Sequence, residues 1–377
     1  MKKTWEERWL EDIDCLKETL SIKHANLFFS VSKEEFEKRV LEIKAKINQL
    51  DYDEMKVEIS GLVAMIKDAH TAIAFPVEKY IPLKFYCFAD GVYIIQVSKG
   101  YEKLLYKKVI AIEDVQIEQV MEDLSKIISH ENKYFLKAQA TKYLQAADVL
   151  YGLLICDDKN KIKITVENEI IEVATVNQKE LNYIENNSVP MYAEKSSENY
   201  WFRYIDEDEL LYIKYNSCRE DGIPLKDKIG SSIDFVEKNN IKKITIDLRN
   251  NLGGDSTLLA PLVEYLKRKE NVELNVIIGR ETFSSGLLNA YELKSECNAI
   301  LIGEPTGGKP NCYGEILRFS LPNSKFNVSY STQYYKLIED DNIDALYPDR
   351  IVEETIGDCL SHYYAVILPK TIYHLQN

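Results

Sequence analysis

The chain has 377 residues, 45% of them hydrophobic and 29% charged, and carries a formal net charge of -14 at pH 7. That length exceeds one ordinary core and predicts two or three domains. The acidic balance leaves no surplus of lysine and arginine to neutralise phosphates, so no nucleic acid and no membrane surface is expected as a partner. The seven cysteines are scattered and form no CxxC pair or zinc-ligand spacing, and no metal or other cofactor is expected. Trp5, Trp9, Ile13, Leu16 and Leu20 recur at helical spacing, which makes the N-terminus an amphipathic helix rather than a signal peptide. No apolar run approaches membrane-spanning length. A reduced, cytoplasmic chain is the expectation.

Residues 1–70 predict a helical segment. Ser32 and Glu35 have capping-box spacing ahead of Phe36, Val40, Ile43 and Ile47, and a third helix with Met55, Ile59, Leu62 and Ile66 inside ends near Asp68-Ala69-His70-Thr71. Residues 71–176 predict a mixed α+β insert. It has a hairpin turning at Asp90-Gly91, a strand–turn–helix in KKVIAIEDVQIEQVMEDL, and a second hairpin in KIKITVENEIIEV. Residues 177–199 are polar, contain Pro190 and read as a linker. From 200 to 377 strands (LLYIKY, KKITIDL, LNVIIG, AILIG) alternate with helices (after Pro224, LLAPLVEYLKRK, SGLLNAYELK), which builds an α/β core with a helix-covered parallel sheet.

Two loops leaving strand ends of that core carry chemistry, since ligands of open parallel sheets bind at the carboxyl ends of strands. The first, Asp247-Leu248-Arg249-Asn250-Asn251-Leu252-Gly253-Gly254-Asp255, has two glycines that let backbone N–H groups approach a ligand. The second, Arg280-Glu281-Thr282-Phe283-Ser284-Ser285-Gly286, places a serine where a strand turns into a helix. There its hydroxyl either caps the helix or stands exposed as a nucleophile, with the Ser285 N–H directed at a developing oxyanion.

The segments DLRNNLGGD, TFSSG and LIGEPTGGKPNCYGE, in that order, resemble the signature segments of the serine peptidase family that contains the C-terminal processing (tail-specific) proteases and the tricorn protease core. The resemblance spans about Trp201 to Glu354 and implies a ClpP/crotonase-like core, with the 71–176 segment as a PDZ-like insert. It implies Ser284 as nucleophile and an oxyanion hole from the Gly253/Gly254 loop and the Ser285 N–H. The implied partner is a peptide or protein substrate, cleaved through an acyl-enzyme.

The same family offers two general bases. The processing proteases use a lysine, which falls here on Lys309 in Thr306-Gly307-Gly308-Lys309; Tyr313 stands where their accompanying glutamine would be. The tricorn-like branch uses a histidine at the end of the helical segment, which matches His70 and is the closer fit, although Ala69 replaces a supporting serine. In that branch a late carboxylate orients the histidine. Its position lands near Asn342, which leaves Glu339, Asp340 and Asp341 as candidates. A non-catalytic peptide- or ligand-binding protein on the same fold is the alternative reading.

Overall fold

Three capping boxes start the N-terminal helices, as their Thr/Ser/Asp-x-x-Glu spacing dictates. Helix α1 (Trp5–Lys23) begins at Thr4 with Glu7 reaching back, α2 (Lys33–Lys46) at Ser32 with Glu35, and α3 (Tyr52–Ala64) at Asp51 with Glu54. Their apolar stripes, among them Ile13, Leu16, Phe36, Ile43, Ile59 and Leu62, are buried in one cluster.

The computed structural model describes residues 3–167, 169–184 and 191–360. Part of the expected 177–199 linker, the C-terminal end of the expected core, His362 and His374 therefore lie outside the described residues. After α3 the chain continues through β1 (Ala72–Ala74), β2 (Leu83–Phe88), β3 (Gly91–Val97), β4 (Val109–Ile112), β5 (Val115–Gln116), α4 (Ile117–Ser125), α5 (Lys133–Tyr143), α6 (Ala147–Gly152), β6 (Lys161–Val166) and β7 (Glu169–Ala174). Strands β2 and β3 form the hairpin expected at Asp90-Gly91, and β6 pairs with β7 as the second hairpin. Helices α5 and α6 are additional to the sequence reading.

Next come β8 (Tyr200–Ile205), β9 (Leu210–Tyr215), α7 (Leu225–Asn239), β10 (Lys243–Asp247), α8 (Ala260–Arg268), β11 (Glu273–Ile278), α9 (Ser285–Cys297), β12 (Ile300–Gly303), β13 (Asn311–Ser320), β14 (Asn327–Lys336), β15 (Arg350–Ile351) and α10 (Ile356–Leu360). The chain divides into two compact units, Met1–Glu185 with Cys312–Tyr335, and Asn186–Asn311 with Lys336–Asn377.

In the first unit β1 pairs antiparallel with β14, Ala72 opposite Ser329, and the order is β1-β14-β13. Leu321, Phe326, Val328 and Tyr330 from this hairpin complete the cluster of α1–α3. The turn of the hairpin is tied to α1 by Asp12, a buried carboxylate that accepts hydrogen bonds from Asn323 N (2.7 Å), Ser324 N (2.7 Å) and Asn323 Nδ2 (3.0 Å).

The second unit holds a six-stranded sheet of order β15-β12-β11-β10-β9-β8, parallel from β9 through β15, with β8 antiparallel to β9. This is the alternating α/β pattern read from the sequence. Ile213, Ile244, Ile246, Val276, Ile278 and Leu301 are fully buried in its core. Asp247 lies opposite Ile277 in the β10–β11 register, so the loops that follow these two strands emerge side by side.

Asp12→Ala strands three donors on the hairpin turn. It is expected to lower the unfolding free energy by about 2–4 kcal/mol, because hydrogen bonds to a buried carboxylate are among the strong ones. Urea unfolding with an unchanged m-value checks this.

Candidate active site

The loop after β10 is anchored by charge. Asp247 is fully buried and accepts from Tyr212 OH (2.7 Å), Lys214 Nζ (3.0 Å), Arg249 Nη2 (2.6 Å) and Arg249 N (2.9 Å). Burial pushes the Asp247 carboxyl up, but the charges of Arg249 and Lys214 and these hydrogen bonds outweigh it and hold it well below the usual carboxylate range. Lys214 is equally buried, and desolvation lowers its proton affinity against the pull of Asp247. Arg249 also reaches Glu354 (3.3 Å) and stacks on the Tyr192 ring at 4.0 Å.

Three hydrogen bonds then tie this loop to the serine loop. Thr282 Oγ1 donates to Leu248 O (2.8 Å), Phe283 N donates to Asn251 O (3.0 Å), and Ser285 Oγ donates to Gly254 O (2.6 Å). They bracket Ser284. Asn251, fully buried, adds a second hold on its own loop: its Nδ2 donates to Tyr215 O (3.1 Å) and its Oδ1 accepts from Gly253 N (2.9 Å). The sequence reading included Asn251 in the loop but gave it no role. An Asn two residues before a Gly is a turn signal that could have singled it out.

Between those ties Ser284 has φ 51° and ψ -127°, a left-handed conformation that costs a non-glycine residue about 1–3 kcal/mol. It precedes α9, yet its side chain makes no capping hydrogen bond. The two serines are thereby separated. Ser285 is buried with its hydroxyl engaged, whereas the Ser284 hydroxyl is half-buried and makes no hydrogen bond among the described residues.

The glycines have steric reasons. A Cβ at Gly253 (φ 101°) would lie 2.9 Å from Ser284 Cβ and 2.9 Å from Ser285 N, and one at Gly286 would lie 2.4 Å from Asn251 O. The Gly253 N–H donates to Asn251 Oδ1 (2.9 Å), and the missing side chain of Gly253 lets the backbone approach the serine loop. The Gly254 N–H makes no hydrogen bond among the described residues, and the Ser285 N–H is the first of α9, without an acceptor inside the helix.

Lys309 is half-buried in the same unit. A Cβ at the adjacent Gly308 would lie 3.5 Å from Phe283 Cα, so its turn packs on the residue preceding Ser284. Of the late carboxylates, Glu339 is fully exposed and paired with Lys336 (3.1 Å), Asp340 accepts from Asn342 N (2.9 Å), and Asp341 accepts from Asn311 Nδ2 (2.7 Å).

His70 belongs to the first unit, where the residues around it are fixed from several elements. Its N–H donates to Asp68 Oδ1 (2.9 Å) and its carbonyl accepts from Ser329 Oγ (2.8 Å). The side chain is 8% exposed. Burial lowers its proton affinity, with the Asp68 charge and the backbone carbonyl of Tyr313 opposing. Asp68 is fully buried, and its Oδ2 accepts from His24 Nε2 (3.0 Å), Thr71 Oγ1 (2.5 Å) and Ser331 Oγ (2.6 Å). His24 Nδ1 accepts from Asn26 N (3.0 Å), which fixes Nε2 as the donor. The sequence offered no role for His24; its partner is 44 residues away.

A structure of mature CPAF complexed with lactacystin superposes with a TM-score of 0.69 at 12% identity, covering 98% of each chain. A CPAF variant with one serine changed to alanine gives 0.68 at 12% identity, over 96% of this chain and 95% of that one. The chain shares the fold of mature CPAF. At such identity the likeness is one of fold. No family model and no curated protein sequence matches the chain.

Asp247→Asn removes the charge that faces Lys214 and Arg249 and is expected to destabilise by about 3–5 kcal/mol at neutral pH. Because the folded carboxyl is depressed, its contribution is present above the unfolded value of about 4 and is lost as pH falls through the folded one. Urea midpoints for both proteins should therefore converge as pH is lowered below about 4.

Proposed function

We propose that the chain is a serine peptidase of the processing-protease and tricorn-like type, with Ser284 as nucleophile. The observation that carries this is Ser284 itself: a non-glycine residue held at φ 51° at a strand-to-helix turn, its hydroxyl not used for capping. Strain kept in place by three flanking hydrogen bonds is characteristic of sites where geometry serves chemistry. The CPAF-like fold supports the same reading, and so do its lactacystin complex and its serine-to-alanine variant.

In this mechanism Ser284 Oγ attacks a peptide carbonyl while its proton passes to His70. The N–H groups of Gly254 and Ser285 donate to the oxyanion, the amine leaves with the proton from His70, and water releases the acyl group with His70 again as base. Burial lowers the proton affinity of His70, which favours the neutral, accepting imidazole. We assign orientation of His70 to Asp68, which holds its backbone N–H; Asp341, anchored by Asn311, is the late carboxylate retained as a second candidate, and the full exposure of Glu339 argues against that residue. We read the core as ClpP/crotonase-like, 71–176 as a PDZ-like insert, and the seven scattered cysteines as fitting a reducing, cytoplasmic compartment.

Lys309 is the second reading for the base, favoured by the packing of its turn on Phe283. A fluorophosphonate probe should label the wild-type chain stoichiometrically, and Ser284→Ala should abolish labelling with an unchanged circular dichroism spectrum. Casein hydrolysis should fall at least about 10⁴-fold in that variant. A folded wild-type chain that resists the probe and lactacystin points instead to the binding protein. His70→Ala is expected to eliminate labelling and Lys309→Ala to preserve most of it; the reverse pattern assigns the base to Lys309.

A further inference from the structure

Carboxylates approach the ring of His70 from two segments. One ligand-capable atom each of Asp68, His70 and Glu131 lies within 4.8 Å of the other two, and all three residues belong to the first unit. We propose that Asp68, His70 and Glu131 form an inhibitory zinc site, which takes His70 out of catalysis when the ion is bound. Its regulatory part rests on the reading of His70 as the base.

The donor set suits zinc, which takes imidazole nitrogen and carboxylate oxygen in three-ligand sites and leaves a fourth position to water. Bonds of about 2.0–2.2 Å put the ligand atoms of one ion roughly 3–4 Å apart. Asp68 Oδ1 and His70 Nδ1 are separated by 3.8 Å, too far for a hydrogen bond and within the span of a shared ion. Glu131 lies in the segment between α4 and α5, is half-buried, and has to close by at most about 2 Å from the 4.8 Å limit to share an ion.

The surroundings have the form that supports metal ligands. Oδ2 of Asp68 is taken by His24, Thr71 and Ser331, while Oδ1 accepts the His70 N–H (2.9 Å) and keeps a second lone pair to ligate, its direction fixed by these contacts. The backbone carbonyl of Tyr313 lies against the His70 ring, where it can accept the hydrogen of the nitrogen that does not ligate. A neutral imidazole has one lone pair. Whichever nitrogen binds zinc, the other keeps its hydrogen, so the ring cannot also take the proton of Ser284.

The test has two arms on the full chain. In the first, the Ser284→Ala protein, dialysed against EDTA, is titrated with zinc chloride by calorimetry. Glu131→Gln, which preserves shape, and His70→Ala are each expected to weaken one site by about 10-fold or more. The cysteines offer competing sites, so the difference between variants is the reading, and equal zinc binding in all three proteins overturns the site. In the second arm, zinc is expected to slow fluorophosphonate labelling of the chain with Ser284 intact, reversibly on adding EDTA, and Glu131→Gln should raise the zinc concentration required. Inhibition unchanged by Glu131→Gln overturns the proposal. Failure of the metal-free wild-type chain to label rejects the hydrolase reading alone, because the calorimetric arm needs no reactive serine.

Discussion

The side chain and carbonyl of Asn251 hold the serine loop in place. Its amide is fully buried and spans the end of β9, through Tyr215 O, and the backbone of Gly253, while its carbonyl receives the N–H of Phe283. Buried amides are stable only when such partners are met, so the geometry is close to all-or-none. Gly286 must lack a side chain because Asn251 occupies that space, and Gly253 must lack one because Ser284 does. Asn251 thus sets the identity of Gly286, and the serine loop it holds sets that of Gly253.

Both units use the same device at their chemically loaded ends. A buried carboxylate is saturated with donors from sequence-distant segments: Asp247 by Tyr212, Lys214 and Arg249, and Asp68 by His24, Thr71 and Ser331. Each would be costly to bury alone. Saturation fixes direction as well as charge, and that is what a neighbouring backbone or ring needs in order to hold one orientation.

Most secondary elements were legible because their signals are local. Capping boxes, the Asp90-Gly91 turn and the strand–helix alternation after 200 depend on residues three to ten apart. The sequence also placed Ser284 correctly at a strand-to-helix turn, but it could not separate a capping hydroxyl from an exposed one; that distinction lives in φ, and Ser285 proved to be the engaged hydroxyl. The N–H of Gly253 could not be assigned either, since its acceptor is a side chain whose rotamer depends on Tyr215. His24 and Ser331 were invisible for a different reason. Their common partner, Asp68, is 44 and 263 residues away, and no local periodicity encodes such contacts.

The excursion of 312–335 has a consequence for biosynthesis. The chain passes from one unit to the other after residues 185, 311 and 335, so the first unit is not contiguous in sequence. A ribosome making this polypeptide delivers α1 to α3 early, but Tyr313, Ser329 and Ser331, which surround Asp68 and His70, emerge only after the whole parallel sheet through β12 has been synthesised. The histidine environment is consequently among the last parts to be finished, after the serine loop that follows β11 has already been synthesised.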